Sequence, residues 1–501
     1  MNELPINLYV AQQTRKLDEL VVNKYGISAN ILIERAGDAA FDVLRKQWPD
    51  AKRIAVCCGI GNNGADGFVI ARLAHEQGMQ VDVYQVGDKT RLRDDALSAL
   101  QRMQGVDLNP VKFDDQSFEE ADVIVDAMLG TGLSGALRDP FLKAINAINQ
   151  ATEVPVMAVD VPSGLNADTG VSCGAAVTAD VTITFIGLKQ GMVTAEGRDY
   201  CGEIKFNDLK LPLALYDSVL PSSTRLEYQQ LKSILKKRKQ ATHKADFGHI
   251  LLVGGNIGMP GAIRLAGEAA LRTGAGLVTI ATREAHAASI SSARPELIVR
   301  GVEDNETLKK LSARADVIAI GPGLGRDPWA RQMLAMAVAR HLPIVVDADA
   351  LNLLSNIDIQ RNQWILTPHP GEAAKLVGCK SREIQADRFS AINKISTLYN
   401  AVVVLKGSGT LVKVGGKATG ICTAGNSGLA TAGTGDVLTG VIASLVAQGH
   451  SLSEAAELGV CLHAEAGDMA VRGIGERGLI ASDLMVSLRR LVNPDTQKAN
   501  L

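Results

Sequence analysis

Gly425-Asn426-Ser427-Gly428-Leu429-Ala430-Thr431-Ala432-Gly433-Thr434-Gly435-Asp436-Val437-Leu438-Thr439-Gly440 is a run of small residues holding one acid, and it passes at once into the apolar pattern Val441-Ile442-Ala443-Ser444-Leu445-Val446. Such a run predicts a glycine-lined turn feeding the start of a helix. Gly433 and Gly435 admit backbone conformations closed to other residues and leave room for a ligand at the main chain. The first free N–H groups of the helix then face that space, and an anion is what they favour. Asp436 has two readings there. It is an N-cap accepting first-turn N–H groups, or a base that takes a hydroxyl proton while the turn holds a phosphoryl group. The local sequence leaves both open.

Outward from this stretch, strands ending in glycine or polar residues recur through the second half. His249-Ile250-Leu251-Leu252-Val253 reaches Gly254-Gly255, and Ala315-Asp316-Val317-Ile318-Ala319-Ile320 reaches Gly321-Pro322-Gly323-Leu324-Gly325. Leu342-Pro343-Ile344-Val345-Val346 reaches Asp347-Ala348-Asp349, Trp364-Ile365-Leu366-Thr367 reaches Pro368-His369-Pro370-Gly371-Glu372, and Ala401-Val402-Val403-Val404-Leu405 reaches Lys406-Gly407-Ser408-Gly409-Thr410. Ligands of open parallel sheets sit at such strand ends. His369, fixed between prolines after a strand, reads as a ligand contact. Lys406 could pair with phosphate, although its glycines follow the lysine instead of preceding it as in a P-loop. His463-Ala464-Glu465 is too sparse for a zinc site and reads as core or surface helix.

The first half repeats the theme. Two helical patterns lie between residues 11 and 47, with Leu17, Leu20, Val21 and then Ile31, Leu32, Ala36, Ala39, Ala40, Leu44 building apolar faces. Arg53-Ile54-Ala55-Val56-Cys57-Cys58 is a buried-type strand running into Gly59-Ile60-Gly61-Asn62-Asn63-Gly64-Ala65-Asp66-Gly67, with a helix expected from Phe68 through Glu76 and a strand over Val81 to Val86. Strand, loop, helix, strand is a βαβ unit and implies a parallel sheet. G-x-G-x-x-G over residues 59 to 64 matches a dinucleotide fingerprint weakly. Asn62, Asn63 and Asp66 offer oxygen ligands and amide donors instead, suited to a cation or a neutral polar edge. Val123-Ile124-Val125 ends in Asp126, and Val154-Pro155-Val156-Met157-Ala158-Val159 ends in Asp160; each runs on into a loop with glycine. A lone acid of this kind is usually a turn or helix cap, but a cap requires no glycine-rich floor beside it.

At 501 residues the chain exceeds what one core supports, about 250 to 300 residues, so two or three domains are expected. A composition shift after residue 210, with the basic run Lys232 to Lys244, marks the seam, and that run reads as a solvated linker or helix. With 46% hydrophobic and 21% charged residues the composition is that of a soluble globular protein. Net charge −2 gives no general attraction to nucleic acid or anionic membrane. Seven cysteines without metal-like spacing suit a reducing compartment, with Cys57 and Cys58 in the core. The N-terminus lacks the pattern of a signal peptide and no run of about 18 apolar residues occurs, so a cytoplasmic protein is expected.

These residues match known families. Gly433-Thr434-Gly435-Asp436 resembles the signature of the ribokinase-like superfamily. Together with Gly321 to Gly325, Asp347 to Asn352, Thr367 to Glu372 and Asn426 to Asp436, it resembles the ADP- or ATP-dependent NAD(P)H-hydrate dehydratases. The first half resembles the NAD(P)H-hydrate epimerases through Gly61 to Gly67, Asp126 with Gly130 to Gly135, and Asp160 to Leu165. The resemblance spans nearly the whole chain. It implies an α/β protein: a Rossmann-like parallel-sheet epimerase domain over residues 1–225, then a ribokinase-like dehydratase domain over residues 226–501.

Carried over by position, the resemblance makes Asn63, Asp126 and Ser163 ligands of a potassium ion, and their oxygen chemistry suits an alkali cation. It makes Asp160 the acid/base group beside the nicotinamide ring. Asn62, Asn63, Gly64, Ala65, Asp66, Gly130, Thr131, Gly132, Leu133, Ser134, Gly135 and Ala136 would line the first substrate. Ala65 departs from the glycine usual in the family. In the second domain Ala262, Gly323, His369 and Asp436 would contact the hydrate, while Lys406, Gly407, Ser408, Gly409, Thr410 and the Gly435 backbone would hold ADP, with magnesium at its phosphates. Asp436 would take the proton of the C6 hydroxyl, the terminal phosphoryl of ADP would pass to that oxygen, and nitrogen-assisted loss of phosphate would restore NADH or NADPH. The expected partners are the NADH and NADPH hydrates and ADP, with no nucleic acid or membrane, and a homo-oligomer is expected. Competing readings are a small-molecule kinase, a dinucleotide-dependent oxidoreductase and a non-catalytic scaffold.

Overall fold

The structure, a computed structural model, describes residues 4–92, 94–114, 118–133, 135–357, 359 and 361–493. The chain divides into two compact units, Met1–Thr224 and Arg225–Leu501.

The first unit is built on seven strands in the order Val111–Lys112, Gln80–Gln85, Arg53–Cys58, Val123–Ala127, Val156–Val159, Val181–Phe185, Glu203–Asn207. Every neighbouring pair is parallel. Chain order runs outward in both directions from the boundary between Arg53–Cys58 and Val123–Ala127. That boundary is a topological switch point, where loops leave to opposite sides and a crevice opens. Residues of the central strands are buried on both faces, which explains their unbroken apolar runs.

Helices Ala11–Tyr25 and Ala29–Gln47 bury Leu17, Val21, Leu32, Ala36, Ala40 and Leu44 as their spacing predicts, while Ile31 stays 45% exposed. The helix after the first glycine loop begins at Asn62 instead of Phe68. Gly61 is its N-cap, and Ala65 N donates to Gly61 O at 3.1 Å. The glycines of that first turn serve close approach: a β-carbon on Gly64 would lie 2.1 Å from Gly59 O.

In the second unit, strands of the described residues pair in the order Ile298–Gly301, Leu277–Thr282, His249–Val253, Val317–Ile320, Ile344–Val346, Trp364–Leu366, Val402–Leu405, Thr410–Lys413, Thr419–Cys422. The first seven are parallel; Thr410–Lys413 pairs antiparallel with Val402–Leu405, and Thr419–Cys422 pairs antiparallel with Thr410–Lys413. Its switch point lies between His249–Val253 and Val317–Ile320. Helix Thr434–Ala447 is buried along nearly its whole length, from Val437 through Ala447, and belongs to the core of this unit. A helix apolar all round is a central helix. It crosses helix Pro260–Thr273 so closely that a β-carbon on Gly440 would sit 2.1 Å from Ala266 O. No helix among the described residues is long and apolar enough to cross a membrane.

The basic run contains a short turn of helix over Lys232–Ile234, and Lys236, Lys237 and Lys239 lie outside any regular element. Arg238 is the exception to a fully solvated reading. Its guanidinium stacks 3.6 Å from the Phe247 ring centroid and donates to Gly274 O and, at 3.1 Å, to Gln448 Oε1.

Candidate active sites

In the first unit three strand ends meet at one edge. Asp126, wholly buried, accepts from Ser163 N at 2.7 Å, Ser163 Oγ at 2.6 Å and Met128 N at 3.2 Å. Burial pushes its pKa up to about 6 against the pull of those bonds. Ser163 Oγ also accepts from Leu129 N at 2.8 Å. Asn63 is 8% exposed, and neither its Oδ1 nor its Nδ2 has a hydrogen-bond partner among the described residues. An amide buried in that condition costs free energy unless something else ligates it.

Asp160 sits at the tip of Val156–Val159 with φ +65°, a conformation rare for a residue with a side chain. Its Oδ1 is ion-paired with Lys189 Nζ and receives Thr184 Oγ1 at 3.3 Å. Lys189 is 2% exposed and its ammonium also donates to Thr184 Oγ1 at 2.9 Å and Phe185 O at 3.1 Å. Its backbone is fixed by parallel pairing with Asn7–Tyr9, Tyr9 standing opposite Lys189. Beside the pair, Gly130 keeps space open: a β-carbon there would lie 3.1 Å from Asp160 Oδ2 and 3.6 Å from Asn63 Cβ.

A cleft of about 860 Å³ opens over this edge. Asn62, Asn63, Asp66, Gly130 to Leu133 and Asp160 line it, as do Asp18 and Lys189, which belong to no motif visible in the sequence. Gly64 packs on the Gly59 backbone, and the Ala65 methyl, fully buried, points into the apolar core. The methyl is thus accommodated by the helix packing. Gly135 and Ala136 lie in an exposed turn, and Ser134 falls outside the described residues.

The second site gathers around Asp347, 1% exposed at the end of Ile344–Val346. Its Oδ1 takes Lys406 Nζ at 2.7 Å and Thr367 Oγ1 at 2.8 Å, and its Oδ2 takes Thr439 Oγ1 at 2.7 Å. Burial works against the charge, but Lys406 and the hydrogen bonds outweigh it and hold Asp347 below its ordinary value. Glu372 approaches Lys406 Nζ at 3.9 Å; burial raises its pKa to about 7, with Lys406 opposing and Asp347 adding.

Asp436 is the third residue of its helix. Gly433, with φ +90°, is the N-cap, so the capping reading of Asp436 falls. No described residue hydrogen-bonds to its carboxylate. Burial raises its pKa to about 7, Asp347 adding and Lys406 opposing. A carboxylate with a pKa near neutrality and no protein partner is poised to take a proton. Lys406 Nζ comes within 3.4 Å of where a Gly435 β-carbon would be, so the ammonium lies under the helix start.

Gly323, with φ +59°, is close to Met259 O and to Ala262 Cβ, at 2.6 and 3.2 Å from a notional β-carbon, which brings Ala262 and Gly323 together. His369 plays a structural part, because its Nδ1 accepts from Gly371 N at 2.9 Å and Glu372 N at 3.3 Å and so caps helix Pro370–Val377. Its side chain is 56% exposed, so ligand contact stays open to it.

Three residues of this site carried no sequence signal strong enough to find them. Arg388, 1% exposed on helix Arg388–Tyr399, donates to Leu405 O at 3.2 Å, Lys406 O at 3.4 Å and Ser408 O, holding the Lys406 loop from beneath. Asp468 accepts from Gly425 N and Asn426 Nδ2, both at 2.8 Å, and ties down the start of the glycine stretch. His463, read as core or surface helix, places Nε2 2.9 Å from Thr434 O. Burial lowers its pKa to about 4, so the neutral ring donates to that carbonyl.

These two sites, each gathered at the carboxyl ends of parallel strands, define a two-unit α/β enzyme, Rossmann-like in the first unit and ribokinase-like in the second. Residues 250–489 match the family model described as NAD(P)H-hydrate dehydratase, and residues 29–191 match that described as YjeF-related protein N-terminus. The chain is 47% identical over 487 residues to a bifunctional NAD(P)H-hydrate repair enzyme of Coxiella burnetii, covering 97% of this chain and 99% of that protein. It is 41% identical over 505 residues to the enzyme so named in Escherichia coli, covering 99% and 96%. A solved ribokinase-like superfamily protein from Enterococcus faecalis shares 29% identity with a TM-score of 0.51, covering 55% of this chain and 96% of its own. The chain belongs to the family of bifunctional NAD(P)H-hydrate repair enzymes.

Proposed function

We propose that the first unit interconverts the R and S hydrates of NADH and NADPH, and that the second dehydrates the S hydrate at the expense of ADP, releasing AMP and phosphate. The observation that carries the second activity is Asp436: unpartnered, on the first turn of a buried helix, with a pKa of about 7 and an ammonium beside it. It would accept the C6 hydroxyl proton as the phosphoryl group moves onto that oxygen. Lys406 and the N–H groups at the helix start lie where phosphate charge would be met. The loop Lys406 to Thr410 would cradle ADP, and Ala262, Gly323 and His369 would bound the hydrate. Magnesium would neutralise the nucleotide's phosphates.

In the first unit Asp160, held by Lys189 and Thr184, would serve as acid/base group at C6. Asn63, Asp126 and Ser163 would hold potassium. Their donors are oxygens throughout, and the orphaned Asn63 Oδ1 fits a cation ligand. The cation would supply positive charge to the cleft, and Asp160 would handle the proton.

The test is to incubate the protein with mixed R and S NADH hydrates, ADP and magnesium and follow NADH absorbance. Complete conversion is expected. A plateau at the S fraction would remove the epimerase role, and a stable phosphorylated product without phosphate release would make the second unit a kinase.

A further inference from the structure

Lys189 has three N–H donors, and the protein uses all three, on Asp160 Oδ1, Thr184 Oγ1 and Phe185 O. Its donors are thus occupied within the protein, and its role is to position Asp160. Epimerisation at C6, the reading of this cleft on which the inference rests, needs a proton delivered as well as one removed.

Of the other acids that line the cleft, Asp18 and Glu19 are exposed and Asp66 is buried. Asp66 projects from helix Asn62–Glu76, lines the same cleft and is 8% exposed, and no described residue hydrogen-bonds to its carboxyl. Burial disfavours a carboxylate without a paired cation or protein donors far more than it disfavours a neutral carboxyl. The buried ammonium of the cleft, Lys189, is ion-paired with Asp160.

We propose that Asp66 is a neutral carboxylic acid and the proton donor of the epimerisation, acting with Asp160 as its complementary base. Asp66 gives its proton to the C6 hydroxyl, the C6–O bond breaks, water leaves, and the lone pair of the ring nitrogen forms the C=N bond. Water then adds to the opposite face of C6. Asp160 takes its proton, and the C=N pair returns to nitrogen. The protein ends with the proton on Asp160 and a carboxylate at Asp66, the form that converts the opposite hydrate. The electrostatics agree with the geometry. Burial raises the Asp66 pKa well above its ordinary value, the charges of Asp160 and Asp18 add to this, and Lys189 opposes it. Arg15 and Glu19 also line the cleft, on helix Ala11–Tyr25.

The experiment compares wild type with Asp66→Asn in three readouts. The isosteric amide keeps the shape and can donate a hydrogen bond, but it cannot transfer a proton. Epimerisation kcat should fall by at least about 100-fold, the lower end of what general acids contribute, while KM moves by less than about threefold. Dehydration of pure S hydrate by the second unit is measured in the same samples.

The second readout is stability against pH. A proton kept on Asp66 in the folded chain and released near pH 4 by the unfolded chain makes stability decline as pH rises above about 4. Asp66→Asn lacks that decline, so its melting temperature should gain on wild type as pH rises above about 4. The third is the infrared C=O band of a protonated carboxylic acid, expected at pH 7 in wild type and missing in the variant. Epimerisation within about threefold of wild type, parallel melting curves across pH, or no such band would each overturn the assignment. Wild-type protein that leaves the R hydrate unconverted, while dehydrating S, would overturn both it and the epimerase reading.

Discussion

Asp436 shows how much of a residue's chemistry depends on its surroundings. In sequence it is an acid near a helix start, equally a cap or a base; in the fold Gly433 takes the capping position and leaves the carboxylate free. With its pKa raised to about 7, the base form is depleted on the acid side of neutrality. The kcat/KM for dehydration should therefore rise with pH through about 7 and fall about tenfold per unit below it, in a profile measured with the S hydrate. Asp436→Asn should bind ADP nearly as wild type by calorimetry and lose dehydration by a factor of about 100 or more, the scale of a missing general base. Turnover near wild type would remove Asp436 from the mechanism. Asp347 is different in kind. It is buried and satisfied by Lys406, Thr367 and Thr439, so Asp347→Ala should cost about 3–5 kcal/mol in urea unfolding by stranding the Lys406 charge.

Among the elements, helix Thr434–Ala447 couples core to site: its first turn carries Gly435 and Asp436 and its later turns are packed on all sides. Gly440→Val should push this helix away from Pro260–Thr273. A loss of about 1–3 kcal/mol by overpacking is expected in thermal melts of the second unit's transition, with dehydration reduced. Helix Arg388–Tyr399 acts through one side chain. Arg388→Met removes the donors that hold the carbonyls of Leu405, Lys406 and Ser408, so the KM for ADP should rise several-fold with a smaller change in kcat, in steady-state kinetics. The apolar periodicity of these helices was readable, but the start of helix Asn62–Glu76 was not. Its first turn is made of Asn and Gly, which local propensity assigns to loops. Only the close packing of Gly64 on Gly59 explains their use there.

Across the whole molecule, each unit carries its own cluster of strand-end polar groups, so loss of one activity should leave the other. In the mixed-hydrate assay Asp160→Asn should give fast conversion that stops at the S fraction, whereas Asp436→Asn should give none while the R and S forms still equilibrate by chromatography. Equal loss of both activities in Asp160→Asn would mean the sites are misassigned.

The amino-acid sequence by itself determined the α/β class, the strand-end loops and the residues at their tips. Periodicity and glycine placement are local, and strands buried on both faces announce themselves as continuous apolar runs. Only the tertiary structure decided which groups share a charge. Lys189 and Asp160 are 29 residues apart, and Lys406 and Asp347 are 59 apart. Arg388 and Asp468 reach backbone groups supplied by other elements. Electrostatic interaction depends on distance and burial in space, and spacing along the chain records neither once a sheet has been crossed.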